Sequence, residues 1–283
     1  ARQGAAVTLF EKRERLGGIV RYVIPEFRIG QEAIDNDAKI LSAMGVEICT
    51  GTLAPSADAL FAEDYSDIVY AVGAWAEGKM KLEKGEAMNV IRFLERSKAG
   101  TLKSLGENVI VVGGGNTAMD AARAAVRHPG VKHVRLVYRR TARYMPADEE
   151  ELELCKEDGV TFCELLAPVA FENGTLLCNV MRLGEPDASG RRSPVPIPGS
   201  EFEVEADTVI MALGTSPNPL IVRTTEGLEA NRRGCLVATE EGATTKDGVF
   251  AGGDAVSGAA TVILAMGAGR KGAVSIDKYL GGE

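Results

Sequence analysis

The stretch VIVVGGGNTAMDAARAAVR, residues 109–127, constrains this chain more than any other. Four β-branched residues in a row read as a strand buried on both faces, and the alanine-rich run behind them reads as a helix. Between the two, Gly113, Gly115 and Ala118 fit the pattern G-x-G-x-x-A. In a strand–turn–helix unit the first glycine permits the sharp turn, and the second lets the backbone approach a pyrophosphate. The third position need only be small, so that the helix can lie against its strand. Free N–H groups at the helix start, together with the helix dipole, then face the anion. The expectation is a dinucleotide-binding unit; a tight turn with no ligand is the alternative.

The next strand candidate ends VYRR, which places Arg139 24 residues after Gly115. An acid at this position would accept hydrogen bonds from the 2′-hydroxyl of NAD. Two arginines cannot do that, but they can hold a 2′-phosphate. Arg139 and Arg140 therefore point to NADPH rather than NADH, against the alternative of two solvated charges at a strand end.

Two further constellations flank this unit. The opening ARQGAAVTLFEKRERLGG reads as a strand, Val7 to Phe10, that delivers Glu11 and is followed by Gly17-Gly18. An acid at a strand end can take ribose hydroxyls, but the glycine turn that serves such an acid comes roughly 20 residues earlier. Only ten residues stand before Glu11, and they contain no G-x-G-x-x-G. Local sequence leaves Glu11 open between a ribose ligand and a solvated charge. Near the other end, GVFAGGDA (248–255) brings Asp254 to a Gly-Gly turn ahead of a helix expected from about 261 to 279. A carboxylate there can bind a ribityl hydroxyl, and the helix start near Thr261 can face a heterocycle or phosphate. A cap or turn role for Asp254 is the alternative. DIVYAVGA (67–74) and DTVIMALGT (207–215) echo each other as buried strands that end in a small residue and a glycine. Each would close a nucleotide-binding unit, so the chain reads as one unit inserted in another.

Composition narrows the class. Thirty-three glycines among 283 residues, with few aromatics, favour an α/β protein rich in tight turns. A net charge of −8 gives no electrostatic footprint for nucleic acid or an anionic membrane. The longest apolar runs are strand-sized, so no bilayer span is expected. The five cysteines are scattered and form no C-x-x-C, which argues against a dithiol-type reductase and gives no spacing from which a zinc or iron–sulfur cluster can be argued. Scattered cysteines suit a reducing compartment, and the cytoplasm is the expected location. Helices are expected over 31–44, 56–63 and 88–98, and an acidic helix after Pro146. Strand candidates near 160–165, 176–183 and 201–205 form a small antiparallel β-meander. EPDASGRRSPVPIPGS is read as a turn within it, and AEGKMKLEKG (76–85) as a crossing between domains. No initiator Met is present, and the chain is read as a fragment that begins inside a unit.

The order E-x5-GG, IPEFR, GGGNTAMDAAR, VYRR, MPA, LGEPDASGRR and GVFAGGDA resembles the glutamate synthase small-subunit type of flavoprotein, of the pyridine nucleotide-disulfide oxidoreductase superfamily, along essentially the whole chain. Within that group GIVRYVIPEFRI is most similar to selenate reductase flavin subunits. The resemblance implies two Rossmann-like domains: residues 1–75 and 206–283 binding FAD, with 76–205 as an inserted NADPH-binding domain. It implies FAD contacts at Glu11, Lys12, Gly17, Gly18, Gly73, Gly214, Gly253, Asp254 and Thr261. It implies NADPH contacts at Gly113, Gly114, Gly115, Asn116, Thr117, Arg139 and Arg140. The implied activity is NADPH-dependent electron input: hydride passes to FAD, and electrons pass to iron–sulfur clusters in an N-terminal domain or partner subunit. A homo-oligomer is left open, and no catalytic acid, base or metal ligand is named. The first FAD strand with its G-x-G-x-x-G and the cysteine-rich cluster domain of the relatives are not found here. Val72 and Leu213 stand where relatives often have Thr or Ile. The competing reading is a nucleotide-binding fragment without turnover of its own.

Overall fold

Strand Asn108–Val112, whose last four residues are buried, is central to a five-stranded parallel sheet. Thr208–Met211 pairs with it on one side and His133–Tyr138 on the other; Met88–Asn89 and Thr161–Glu164 complete the edges. The computed structural model describes residues 1–281 except Lys79 and Ser189; Lys79 of the expected crossing, Ser189 of the expected turn, and Gly282 and Glu283 of the expected last segment lie outside it. The chain divides into two compact units: Ala1–Tyr22, Glu26–Ala76 and Thr215–Glu283 form the first, and Val23–Pro25 with Glu77–Gly214 form the second. Residues 206–214 thus fall in the second unit, because Thr208–Met211 is hydrogen-bonded into its sheet.

In the second unit, helix Asn116–Val126 buries Ala118, Met119, Ala121, Ala122, Ala124 and Ala125. Small side chains on that face let the helix axis come close to the sheet. Asp207 closes the entry to the central strand: its Oδ2 accepts from the N–H groups of Glu107 and Asn108, each at 2.8 Å. These two bonds hold its carboxyl below the usual carboxylate range.

Three antiparallel strands, Leu166–Glu172, Thr175–Pro186 and Arg192–Glu205, form a separate sheet. They pack on the parallel sheet through a shared core that includes Ile110, Val137, Leu176, Val204 and Val209. The meander is present, with three differences from the expectation. The candidate near 160–165 is Thr161–Glu164 and pairs in the parallel sheet instead. A strand at Leu166–Glu172 was not foreseen, and the proline-rich run read as a turn is the start of a 14-residue strand. Pro194, Pro196 and Pro198 alternate along it, and among the described residues the strand pairs on one side only. Alternate residues can therefore turn their missing N–H groups to the unpaired edge, where proline costs no ladder bond.

The first unit contains two separate parallel pairs, Thr8–Phe10 with Glu47–Cys49 and Ile68–Tyr70 with Val249–Ala251. Helix Ala57–Ala62, capped by the Ser56 hydroxyl, packs with Ile68, Val249, Ala251 and Ala255 in the core of this unit. The expected buried strand at 67–74 is three residues long, and Val69 is 55% exposed. Its one described partner strand leaves part of its surface uncovered. Helix Val262–Tyr279 runs as expected, and none of its residues is buried. No described helix is long and apolar enough to cross a membrane.

Candidate functional site

The glycine turn of the second unit is shaped by what surrounds it. Gly113 has φ of +154°, and a Cβ there would stand 2.3 Å from the carbonyl oxygen of Ala212. A Cβ on Gly114 would meet the Tyr138 ring at 2.4 Å. At Gly115 the nearest atom would be Pro146 Cγ, at 3.9 Å, so this backbone faces open space. Among the described residues nothing accepts from the N–H groups of Gly115, Asn116 and Thr117. The first N–H groups of a helix have no partner within it, and here they stand beside a backbone stripped of side chains. The arrangement fits a pyrophosphate.

The two arginines separate. Arg139 follows the strand end and is exposed. Arg140 is 6% exposed: its Nε donates to the Arg192 carbonyl (2.8 Å) and its Nη2 to Asp187 Oδ2 (3.0 Å). The expectation that both guanidinium groups face a phosphate is corrected for Arg140, which ties the strand end to the antiparallel hairpin. Sequence spacing gave no sign of this, because Asp187 lies 47 positions away. Arg143, not singled out from sequence, lies three residues further on in the turn Ala142–Tyr144 and is exposed.

In the first unit Glu11 follows its strand directly. Its N–H donates to the Cys49 carbonyl (2.9 Å), and its Oε1 accepts from the Arg13 N–H (2.8 Å). Lys12 is exposed. The Arg13 guanidinium lies over the rings of Tyr22 and Trp75, at 4.4 and 4.5 Å. Trp75 in turn would be 3.9 Å from a Cβ on either Gly18 or Gly73, so one ring gathers the two glycine positions beside the Glu11 loop. Gly17 has φ of +118°, and a Cβ there would strike Arg21 and Ile34 at 2.9 Å. Gly214 is not part of this group: it lies in the second unit, where its carbonyl accepts from the Gly78 N–H (2.9 Å).

Strand Val249–Ala251 leads to Gly252 and Gly253. Gly253 adopts φ +64°, ψ −150°, a region closed to other residues, and its Cβ position lies 3.4 Å from Ala265. Helix Val262–Tyr279 therefore passes close to Gly253 with its first turn, next to Asp254. Burial pushes the Asp254 carboxyl up, while a hydrogen bond from the Ala260 N–H (3.3 Å) works against that. Thr261 is the N-cap of the helix, its Oγ1 accepting from Leu264 N–H (3.4 Å). Burial pushes the Cys178 thiol up to about 12, which leaves it without thiolate chemistry near neutral pH.

A family model for pyridine nucleotide-disulphide oxidoreductases matches residues 2–269. The chain is 38% identical to the NADP(+)-dependent formate dehydrogenase subunit beta of Moorella thermoacetica, over 99% of this chain and 41% of that protein. It is 34% identical to the glutamate synthase [NADPH] small chain of Halomonas elongata, over 99% of this chain and 64% of that one. The chain spans about half the length, or less, of most of the curated relatives that it matches best. Among solved structures, Mycobacterium tuberculosis FprA in complex with NADPH superposes with a TM-score of 0.79, covering 98% of this chain and 78% of that one at 18% identity. That likeness speaks for the fold.

Proposed function

The chain belongs to the pyridine nucleotide-disulphide oxidoreductase family, and from that premise we propose that it is the electron-input part of an NADPH-dependent flavoprotein oxidoreductase. The second unit is the NADPH domain and the first supplies the FAD domain. The observation that carries this reading is the glycine turn, with N–H groups at Gly115, Asn116 and Thr117 that no described group accepts from.

When bound, NADPH supplies a hydride and FAD accepts it as an electron pair, chemistry that belongs to the cofactors rather than to side chains. The task of the protein is binding and orientation. Gly113 to Thr117 hold the pyrophosphate of NADPH on the helix start. Arg139, exposed at the strand end, holds the 2′-phosphate; Arg143 is the next exposed guanidinium along the same segment, in place of the buried Arg140. Glu11, fixed by the Arg13 N–H, takes the FAD ribose hydroxyls, with Lys12, Gly17, Gly18 and Gly73 beside it. Asp254, which follows Gly253 and accepts from the Ala260 N–H, takes the ribityl end with the start of the Thr261-capped helix. The electrons leave to a further domain or partner subunit. Two of the relatives support this, an NADP(+)-dependent formate dehydrogenase subunit beta and a glutamate synthase [NADPH] small chain.

The test is direct. Purified protein is inspected for a flavin spectrum, and NADPH oxidation is followed with an artificial acceptor. Flavin absorbance and turnover support the reading. A colourless protein that binds NADPH without turning it over favours the second reading, a nucleotide-binding fragment, for which the two separate strand pairs of the first unit speak.

A further inference from the structure

We propose that the reciprocal pair Asn116–Asp148 is a positioning device that sets the preference for NADPH over NADH. The proposal rests on the reading of the second unit as the NADPH domain. After Tyr138 the chain leaves the sheet, passes Arg139 and Arg140, and makes the turn Ala142–Tyr144 before the helix Glu149–Glu157. This strap is tied back at several places. Tyr138 Oη donates to the Tyr144 carbonyl (2.8 Å), and the Ala147 N–H donates to the Gly114 carbonyl (3.0 Å). At its end Asn116 Nδ2 donates to Asp148 Oδ2 (3.1 Å), while the Asp148 N–H donates to Asn116 Oδ1 (3.2 Å).

Asp148 occupies the N-cap of its helix, where an aspartate ordinarily accepts from the N–H groups of the first turn. Its side chain makes no such bond. The carboxylate is directed instead to Asn116, the first residue of the helix whose N–H groups face the pyrophosphate. The clasp therefore joins the pyrophosphate cradle to the strap that begins at Arg139 and carries Arg143. With both ends fixed, the spacing between the pyrophosphate and the 2′-phosphate is set before the nucleotide arrives, which lowers the ordering cost of binding. NADH has no 2′-phosphate and draws no benefit from the spacing. Asp148 and Asn116 act through the strap, so they are positioning residues.

The experiment measures NADPH and NADH binding to the 283-residue chain by calorimetry, for the wild type, Asp148→Ala and Asp148→Asn. Asp148→Ala removes the acceptor and should weaken NADPH roughly 5–20-fold while NADH changes by less than about twofold. Asp148→Asn keeps an oxygen for Asn116 Nδ2 and the same backbone N–H, so it should bind both nucleotides as the wild type does. That rescue tests the proposal even if Asp148→Ala folds poorly. Equal losses for the two nucleotides, or an Asp148→Asn variant that behaves like Asp148→Ala, overturns it. A wild-type chain that binds neither nucleotide overturns the NADPH reading itself, and this inference with it.

Discussion

Arg140 lies 3.0 Å from Asp187 and is buried, while its neighbour Arg139 is exposed. The two adjacent arginines thus have different tasks, and substitution separates them. Arg139→Ala should weaken NADPH binding by about tenfold or more, the worth of a charge-assisted bond to phosphate, and spare NADH. Arg140→Ala should instead destabilise the fold by about 1–3 kcal/mol through loss of the ion pair and of the Arg192 carbonyl contact. Denaturant titration and nucleotide binding on both variants check the split. If Arg140→Ala lost NADPH selectively at full stability, the separation of roles would be refuted.

A methyl group at Gly114 has no room, because the Tyr138 ring stands 2.4 Å from its position and is held by the Tyr144 carbonyl. Gly114→Ala should cost about 1–3 kcal/mol, the usual range for overpacking, and displace the N–H groups of the turn. Both thermal midpoint and NADPH affinity should fall. Gly115→Ala, which meets only Pro146 at 3.9 Å, should keep its stability and lose affinity alone. Equal stability losses in the two variants would contradict this account of the turn.

Gly253→Ala should cost about 1–3 kcal/mol, because φ +64°, ψ −150° is a region essentially reserved for glycine. The strain falls next to Asp254. Flavin content of the purified variant, set against the wild type, should drop together with the thermal midpoint. Unchanged flavin content would remove Gly253 from the FAD site.

Asp67 carries the pH prediction. Both carboxylate oxygens are buried without a described hydrogen-bond partner; burial first, and then the Asp247 charge, push its carboxyl up. A raised folded-state pKa favours the fold while the group is protonated in both states. That contribution is complete below the ordinary carboxylate range, near pH 4, and is lost as pH rises through the higher folded value. Asp67→Asn should therefore melt higher than wild type at pH 7 and no higher at pH 3. Melting curves at the two pH values decide it; a lower midpoint for the variant at pH 7 would refute it.

Local physical chemistry made much of this protein legible in its sequence. The β-branched run before Gly113 and the small residues after it demand a strand, a turn and a close-packed helix in that order, since other residues would clash or unwind them. The same holds for Val249–Ala251 running into Gly252-Gly253. What tertiary structure alone decided concerns groups brought together from far along the chain. Arg140 found Asp187, Asn116 found Asp148, and Arg13 found Trp75 across 62 positions. Val69 looked like a core residue and lies exposed, because burial depends on which strand covers a face rather than on the residue itself. The prolines of 194–198, turn formers by propensity, sit in a strand because its outer edge asks for no N–H. Periodicity and turn chemistry act over a few residues and can be read from them; the partner of a buried charge is set only when the sheets pack.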